Sequence, residues 1–365
     1  MSQVISNAEA HRVQIIYTHI ARDANGNPTF TTHPYRLHDD EYFYPASTVK
    51  LPTALAALEL VKKLNITGLN SRTHMLTGAA YPWQSAATED PSAPGGYPSI
   101  AYYVQKILWV SDNDAYNRLY ELLGPKALDN FLENHGLNNT RIVHRLEQSL
   151  SQKQNRQLNP IRFREGETTV YELAARTDPE VSAANSDILL GQAEIINGER
   201  IKGAKNFRAK NAFSLQDQHE LMKALMFPNS VAANRRFVLS DIDRTLLLEA
   251  MSTPPSASGI ADYADRSRYP DGYVKFLMLG GDAQSIPDSL TIYNKSGQAY
   301  GFLTDMAYFV DEQRGVEFLL GATIYANQNG VFNDDVYEYD SVGFPFMAAL
   351  GKAIYQLELA RRPSR

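Results

Sequence analysis

Cysteine is absent from all 365 residues, so disulfides and thiolate chemistry are both excluded. No apolar run approaches the roughly 18 residues of a membrane span. Positive charge is not in excess: 35 Lys and Arg stand against 41 Asp and Glu, and the net charge of −6 argues against a nucleic-acid-binding surface. No internal repeat or low-complexity tract is present, and the first residues lack the charged-then-apolar pattern of a signal peptide, with Val13 onward reading as a strand. What remains is a chain with 44% hydrophobic residues, enough to bury a substantial core as one two-lobed domain or two domains.

Three short motifs carry the chemistry. Ser47-Thr48-Val49-Lys50 opens a run of strong helix formers, Leu51 to Val61. Pro52 is tolerated only in a first helical turn, so Ser47 is expected near the N-cap, where free backbone N–H groups and the positive end of the helix dipole can stabilise an oxyanion. Lys50 is one turn on, on the same face, and a lysine whose ammonium is destabilised can take the serine proton. Ser111-Asp112-Asn113 interrupts two helical patterns, Ile100 to Val110 and Ala115 to Leu123, the second stopped by Gly124-Pro125. There Ser111 could relay a proton, Asn113 could orient a substrate amide, and Asp112 reads as structural, with Ser, Asp and Asn all good N-cap candidates. Lys295-Ser296-Gly297 ends a strand-like run that starts at Ser289; a cation and a hydroxyl on a strand edge suit a carboxylate, and Gly297 permits close backbone approach. Gln298 could offer its backbone N–H.

In this order the motifs resemble the S-x-x-K, S-D-N and K-T/S-G elements of the penicillin-recognising serine enzymes, specifically the class A β-lactamase branch. The resemblance implies Ser47 as acylated nucleophile, Lys50 as its activating partner and Ser111 as proton shuttle. Asn113 would bind the substrate amide, Lys295 and Ser296 its carboxylate, and the N–H groups of Ser47 and Gln298 would form the oxyanion hole. Substrates would be β-lactams or D-Ala-D-Ala-type peptidoglycan stems, with no metal or organic cofactor, at a periplasmic or cell-surface location.

Two features depart from that pattern. The family places a glutamate after S-D-N to activate the deacylating water. Arg145-Leu146-Glu147 resembles the start of that loop, and Asn117, which braces it in the family, is kept; counting onward puts Leu150 where the glutamate is expected. Glu147, Glu165 and Glu167 are the possible substitutes. The second departure is length between Ser111 and Lys295, with extra material expected near residues 150 to 210, beside the active-site mouth, and near Gly259 to Pro287.

The expected fold is α+β, β-lactamase/transpeptidase-like. An N-terminal hairpin, Val13 to Ile20 and Thr29 to Tyr35, joins the strands after Ser289, including Phe302 to Asp311 and Val316 to Ala326, in one antiparallel sheet. A closing helix is expected over Pro345 to Arg362. The chain then forms a single catalytic domain, with an α/β lobe at about 1–47 and 289–365, a mostly helical lobe at about 48–288, and the site between them. A competing motif, Asp241-Ile242-Asp243-Arg244-Thr245, superficially matches aspartyl-phosphate phosphatases but works better as a helix start capped by Ser240. The other competing reading is a penicillin-binding D,D-peptidase or a non-turnover sensor.

Overall fold

The structure is a computed structural model and describes residues 1–38, 40–181, 184–281 and 287–361. Ser182 and Ala183 of the expected insertion, Asp282–Ile286 before the last motif and Arg362 of the closing helix lie outside the described residues.

One five-stranded antiparallel sheet organises the chain. Its strands are β1 (Gln14–Arg22), β2 (Pro28–Tyr35), β3 (Leu290–Ala299), β4 (Phe302–Asp311) and β5 (Val316–Tyr325), in the spatial order β3-β4-β5-β1-β2. The register pairs β1 with β5 through Gln14↔Thr323 and β3 with β4 through Ser296↔Asp305. N- and C-terminal segments therefore meet in one layer, as the alternating strand patterns predict. The edge strand β3 continues past the last motif to Ala299, so Lys295-Ser296-Gly297 lies within the strand rather than at its end.

Period-two alternation gives this sheet two apolar faces. Leu303, Ala307, Phe309, Phe318 and Leu320 face a core closed by Phe346, Met347 and Leu350 of the C-terminal helix. Phe302, Met306 and Leu319 face the opposite core, built from helices α1 (Lys50–Leu64), α2 (Ile100–Val110), α3 (Asn113–Asn134), α4 (Leu215–Met226) and α5 (Asp241–Ser252). The C-terminal helix α6 covers Phe344–Ala360. Helix α3 runs further than its sequence suggests. Gly124 leaves helical geometry at φ 77°, ψ 160°, and Pro125, whose missing N–H suits a helix start, opens a second stretch that continues to Asn134. The phosphatase-like motif is a helix start: Ser240 caps α5 by accepting from the Asp243 N–H at 3.1 Å.

The stretch from 150 to 210 is built mainly from short strands. Ile161–Glu165 and Thr168–Leu173 form a hairpin that pairs with His74–Thr77. Ala193–Ile196 and Glu199–Lys202 form another, and its first strand runs parallel to Val331–Phe332. Each hairpin docks one of its strands on a distant partner, His74–Thr77 or Val331–Phe332, and strands this short leave little local period to announce them.

Phe318 is fully buried and stacks on Phe309 with ring centroids 4.6 Å apart. Phe318→Ala should cost about 3–5 kcal/mol in urea unfolding, whereas Thr29→Ala, on the exposed hairpin, should leave the midpoint nearly unchanged.

Candidate active site

Ser47 lies in a single 3-10 turn, Ala46–Val49, that runs directly into α1 at Lys50. It therefore precedes the N-cap, Val49, by two residues, and Pro52 occupies the first turn of α1. The turn rests against the edge strand: a Cβ on Gly297 would stand 2.6 Å from Pro45 O and 2.7 Å from Ser47 N. Only glycine allows the two backbones to touch here.

Lys50 is fully buried, and its ammonium reaches the other motifs. It donates to the Ser111 carbonyl, to Asn113 Oδ1 at 2.5 Å and to Ser111 Oγ at 3.3 Å. From the strand side Lys295 Nζ donates to the same Ser111 Oγ at 2.9 Å and to Ser296 O at 2.7 Å. Ser111 can take this central place because it adopts a left-handed conformation, φ 57°, at the end of α2. Asp112 begins the next helix by accepting from the Ala115 N–H at 2.7 Å, and lies 3.6 Å from Lys106. Ser47, Lys50, Ser111, Asn113, Lys295, Gly297 and Gln298 are thus brought to one place from three separate parts of the chain.

Burial shapes the electrostatics. Desolvation, with Lys295 nearby, holds the Lys50 ammonium well below its usual range, against the opposing pull of Asp112 and Glu147. Desolvation likewise lowers Lys295 to about 7, with Asp305 opposing the shift and Lys275 assisting it. Lys50 is therefore suited to receive a proton.

Ser296 does not join this group. Its hydroxyl is buried and donates to Val274 O at 2.7 Å, on the strand face opposite Lys295, so the expectation that it offers a free hydroxyl for a carboxylate is not met. Leu150 is also displaced from its expected position. Asn117 clamps the backbone of Leu146 in both directions, Nδ2 donating to Leu146 O at 3.0 Å and Oδ1 accepting from Leu146 N at 2.9 Å. Leu146 and its neighbour Glu147 line the cleft, and Leu150 does not. Arg145, from which the position was counted, is itself buried and bonded to Glu121 at 3.0 Å and to Gln157 O at 3.0 Å, and Glu147 follows with φ 54°. Glu165 and Glu167 sit on the Ile161–Leu173 hairpin, outside the cleft lining.

The cleft beside Ser47 has a volume of about 750 Å³. Tyr44, Tyr300, Tyr337 and Tyr339 form much of its wall, with Glu147, Asp335 and Asp340 towards solvent. Ala46, Glu147, Tyr300, Asn333 and Asp335 line it with positive φ between 48° and 61°. Such non-glycine conformations are sterically costly and concentrate where neighbours over-determine the backbone. No motif marked the wall residues: Tyr44 precedes the Ser47 turn, Tyr300 lies between β3 and β4, and the 333–340 segment follows Val331–Phe332, which pairs with Ala193 and Glu194. A larger hollow of about 990 Å³, lined by His19, Arg22, Glu317 and Glu358, holds none of the motif residues. Among the described residues no helix is long and apolar enough to cross a membrane, and no group of three His, Asp or Glu is arranged to hold a metal.

The buried lysines set a pH dependence. A group whose folded pKa lies below its unfolded value leaves the unfolded chain with more bound protons between the two, so stability rises with pH in that window. For Lys295 the window opens near 7 and extends to about 10.5. Unfolding free energy should therefore rise from pH 7 to 9, and Lys295→Met should flatten the rise in denaturant titrations across that range.

A family model described as "Beta-lactamase enzyme family" matches residues 1–357. Among solved structures, PBP-A superposes with a TM-score of 0.54 at 15% identity, over 98% of this chain and 94% of that one. A leucine-to-glutamate mutant of PBP-A in an acyl-enzyme complex with penicillin G gives the same figures. An ancestral class A β-lactamase gives 0.52 at 16% identity, over 98% of both chains. A search of curated protein sequences returns no match. With the whole-chain family match added to the sheet, the helices and the clustered motifs, the chain belongs to the β-lactamase enzyme family.

Proposed function

We propose that the protein is an active-site serine hydrolase that is acylated at Ser47 by β-lactams or D-Ala-D-Ala-type peptides and releases the acyl group slowly. The observation that carries this reading is the unbroken contact from Asn113 and Lys50 through Ser111 to Lys295, placed beside Ser47 at the cleft. Ser47 Oγ attacks the amide carbonyl and its proton passes to the neutral amine of Lys50. The C–N bond breaks as Ser111, supplied by the two lysines, delivers a proton to the leaving nitrogen. Backbone N–H groups of Ser47 and Gln298 stabilise the oxyanion, and Lys295 holds the substrate carboxylate. Asn113 Oδ1 is held by Lys50, which leaves its Nδ2 to donate to the substrate amide. The chemistry requires no metal or organic cofactor, and such substrates place the protein in the periplasm or at the cell surface.

Deacylation needs a base that activates water, and an apolar side chain at Leu146 cannot supply one. Leu146 is braced by Asn117 at the cleft wall, so the slow-release reading rests on this residue rather than on Leu150. The reading as a penicillin-binding peptidase or sensor follows from slow release. A second reading, a true β-lactamase, is favoured by Glu147, which lines the cleft close enough to Lys50 to act on its charge.

A chromogenic cephalosporin followed by absorbance and intact mass tests both. Slow release predicts one equivalent of chromophore and a stable adduct that Ser47→Ala abolishes. Leu146→Glu should then accelerate release by roughly 10²-fold, the low end of general-base contributions. Many turnovers in the native chain, lost in Glu147→Gln, would instead establish the β-lactamase reading.

A further inference from the structure

A second fully buried lysine lies behind the edge strand and has no part in the hydrolytic steps above. Lys275 Nζ donates to Met251 O at 3.0 Å, Ile292 O at 2.9 Å and Asn294 Oδ1 at 2.9 Å, which uses its three donors. Met251 belongs to the last turn of α5, where the exposed carbonyls carry the negative end of the helix dipole. An ammonium cannot accept, so Asn294 must turn its oxygen towards Lys275 and its amide donors elsewhere. Those donors reach Val274 O at 2.7 Å and Asp305 Oδ1 at 2.9 Å. The other Asp305 oxygen accepts from the N–H groups of Phe276 and Leu277, both at 3.0 Å. Ser296 completes the arrangement by donating to Val274 O.

The segment 274–277 consequently grips Asn294 and Ser296, the two residues that flank Lys295, from one face of β3. Lys295 points from the other face to Ser111. A buried ammonium and carboxylate stabilise little that a well-packed apolar pair would not. Their consequence here is directional, because each hydrogen bond fixes an atom on either side of the cleft lysine.

We propose that Lys275, acting through Asn294 and together with Asp305, is a positioning residue that aims the Lys295 ammonium at the carboxylate of the substrate. The inference rests on the acyl-Ser47 reading for its substrate class, and its test is separable from that reading because it requires binding without chemistry.

Benzylpenicillin and its methyl ester differ in the free carboxylate alone. Calorimetric binding of both to Ser47→Ala and to Ser47→Ala/Lys275→Met reads recognition of that group, while intact mass of the native chain scores acylation independently. The expected result is at least tenfold tighter binding of the acid than of the ester by Ser47→Ala, falling below threefold with Lys275→Met through weaker binding of the acid. Asn294→Ala in the same background cuts the link without emptying the lysine pocket and should narrow the ratio equally, which keeps the test decisive if Lys275→Met fails to fold. An unchanged ratio, equal weakening of both ligands, or no preference for the acid in Ser47→Ala would each overturn the proposal.

Discussion

The contact between Gly297 and the turn that carries Ser47 is the constraint on which the site depends. A hydroxyl near the start of the chain and a cation near its end can share a cleft only if the edge strand and the helix entry meet backbone to backbone. The space that a Cβ on residue 297 would need is already taken by Pro45 O and Ser47 N. Two rigid elements therefore set the distance between Ser47 and Lys295: a strand paired along ten residues with β4, and a helix whose first turn is packed in the core. Residues with positive φ, Ala46, Glu147, Tyr300, Asn333 and Asp335, line the cleft beside this contact.

Placing three lysines in the interior is costly, and the surrounding structure offsets the cost in different ways. Lys275 is fully hydrogen-bonded and has Asp305 nearby; Lys295 has Ser111 and a carbonyl; Lys50 has Ser111 and Asn113. Desolvation lowers all three. The opposing charge comes from Asp305, behind the strand, for Lys275 and Lys295, and from Asp112 and Glu147 for Lys50. Lys50 is held well below its usual range where the turn that carries Ser47 enters the helix. The lowered range of Lys50 thus arises from its burial and from the neighbouring Lys295, while Asp112 and Glu147 oppose it.

Much of this was legible in the chain. The strands of the sheet alternate with period two and α2 has clear ends, so the main layers emerge from local pattern. Two of the motifs sit at element boundaries with their own local signatures and the third lies in a strand-like run, so the residues that gather around Ser111 can be picked out locally. What remained hidden depends on long-range pairing. Ser296 and Lys295 are adjacent in sequence, but strand alternation sends their side chains to opposite faces, and only the 274–277 segment reveals that Ser296 is already bonded. The short strands between 150 and 210 owe their form to partners such as Val331–Phe332. Leu146 could not be identified by counting from Arg145, because its position is fixed by an amide clamp from another helix.

That clamp bears on the fate of an acyl group at Ser47. Asn117 fixes the Leu146 backbone from both sides, so the side chain at that position is determined by the fold rather than by loop motion. Glu147 follows it immediately but with φ 54°, which turns the chain and leaves its carboxylate exposed at the cleft wall. For the proposed acyl transfer, the arrangement offers a buried lysine held well below its usual range and an apolar residue, Leu146, at the position that Asn117 holds in place. Any gain in turnover by this chain would therefore require either a polar group at 146 or a local turn that carries Glu147 inward, and the clamp on its neighbour opposes the second.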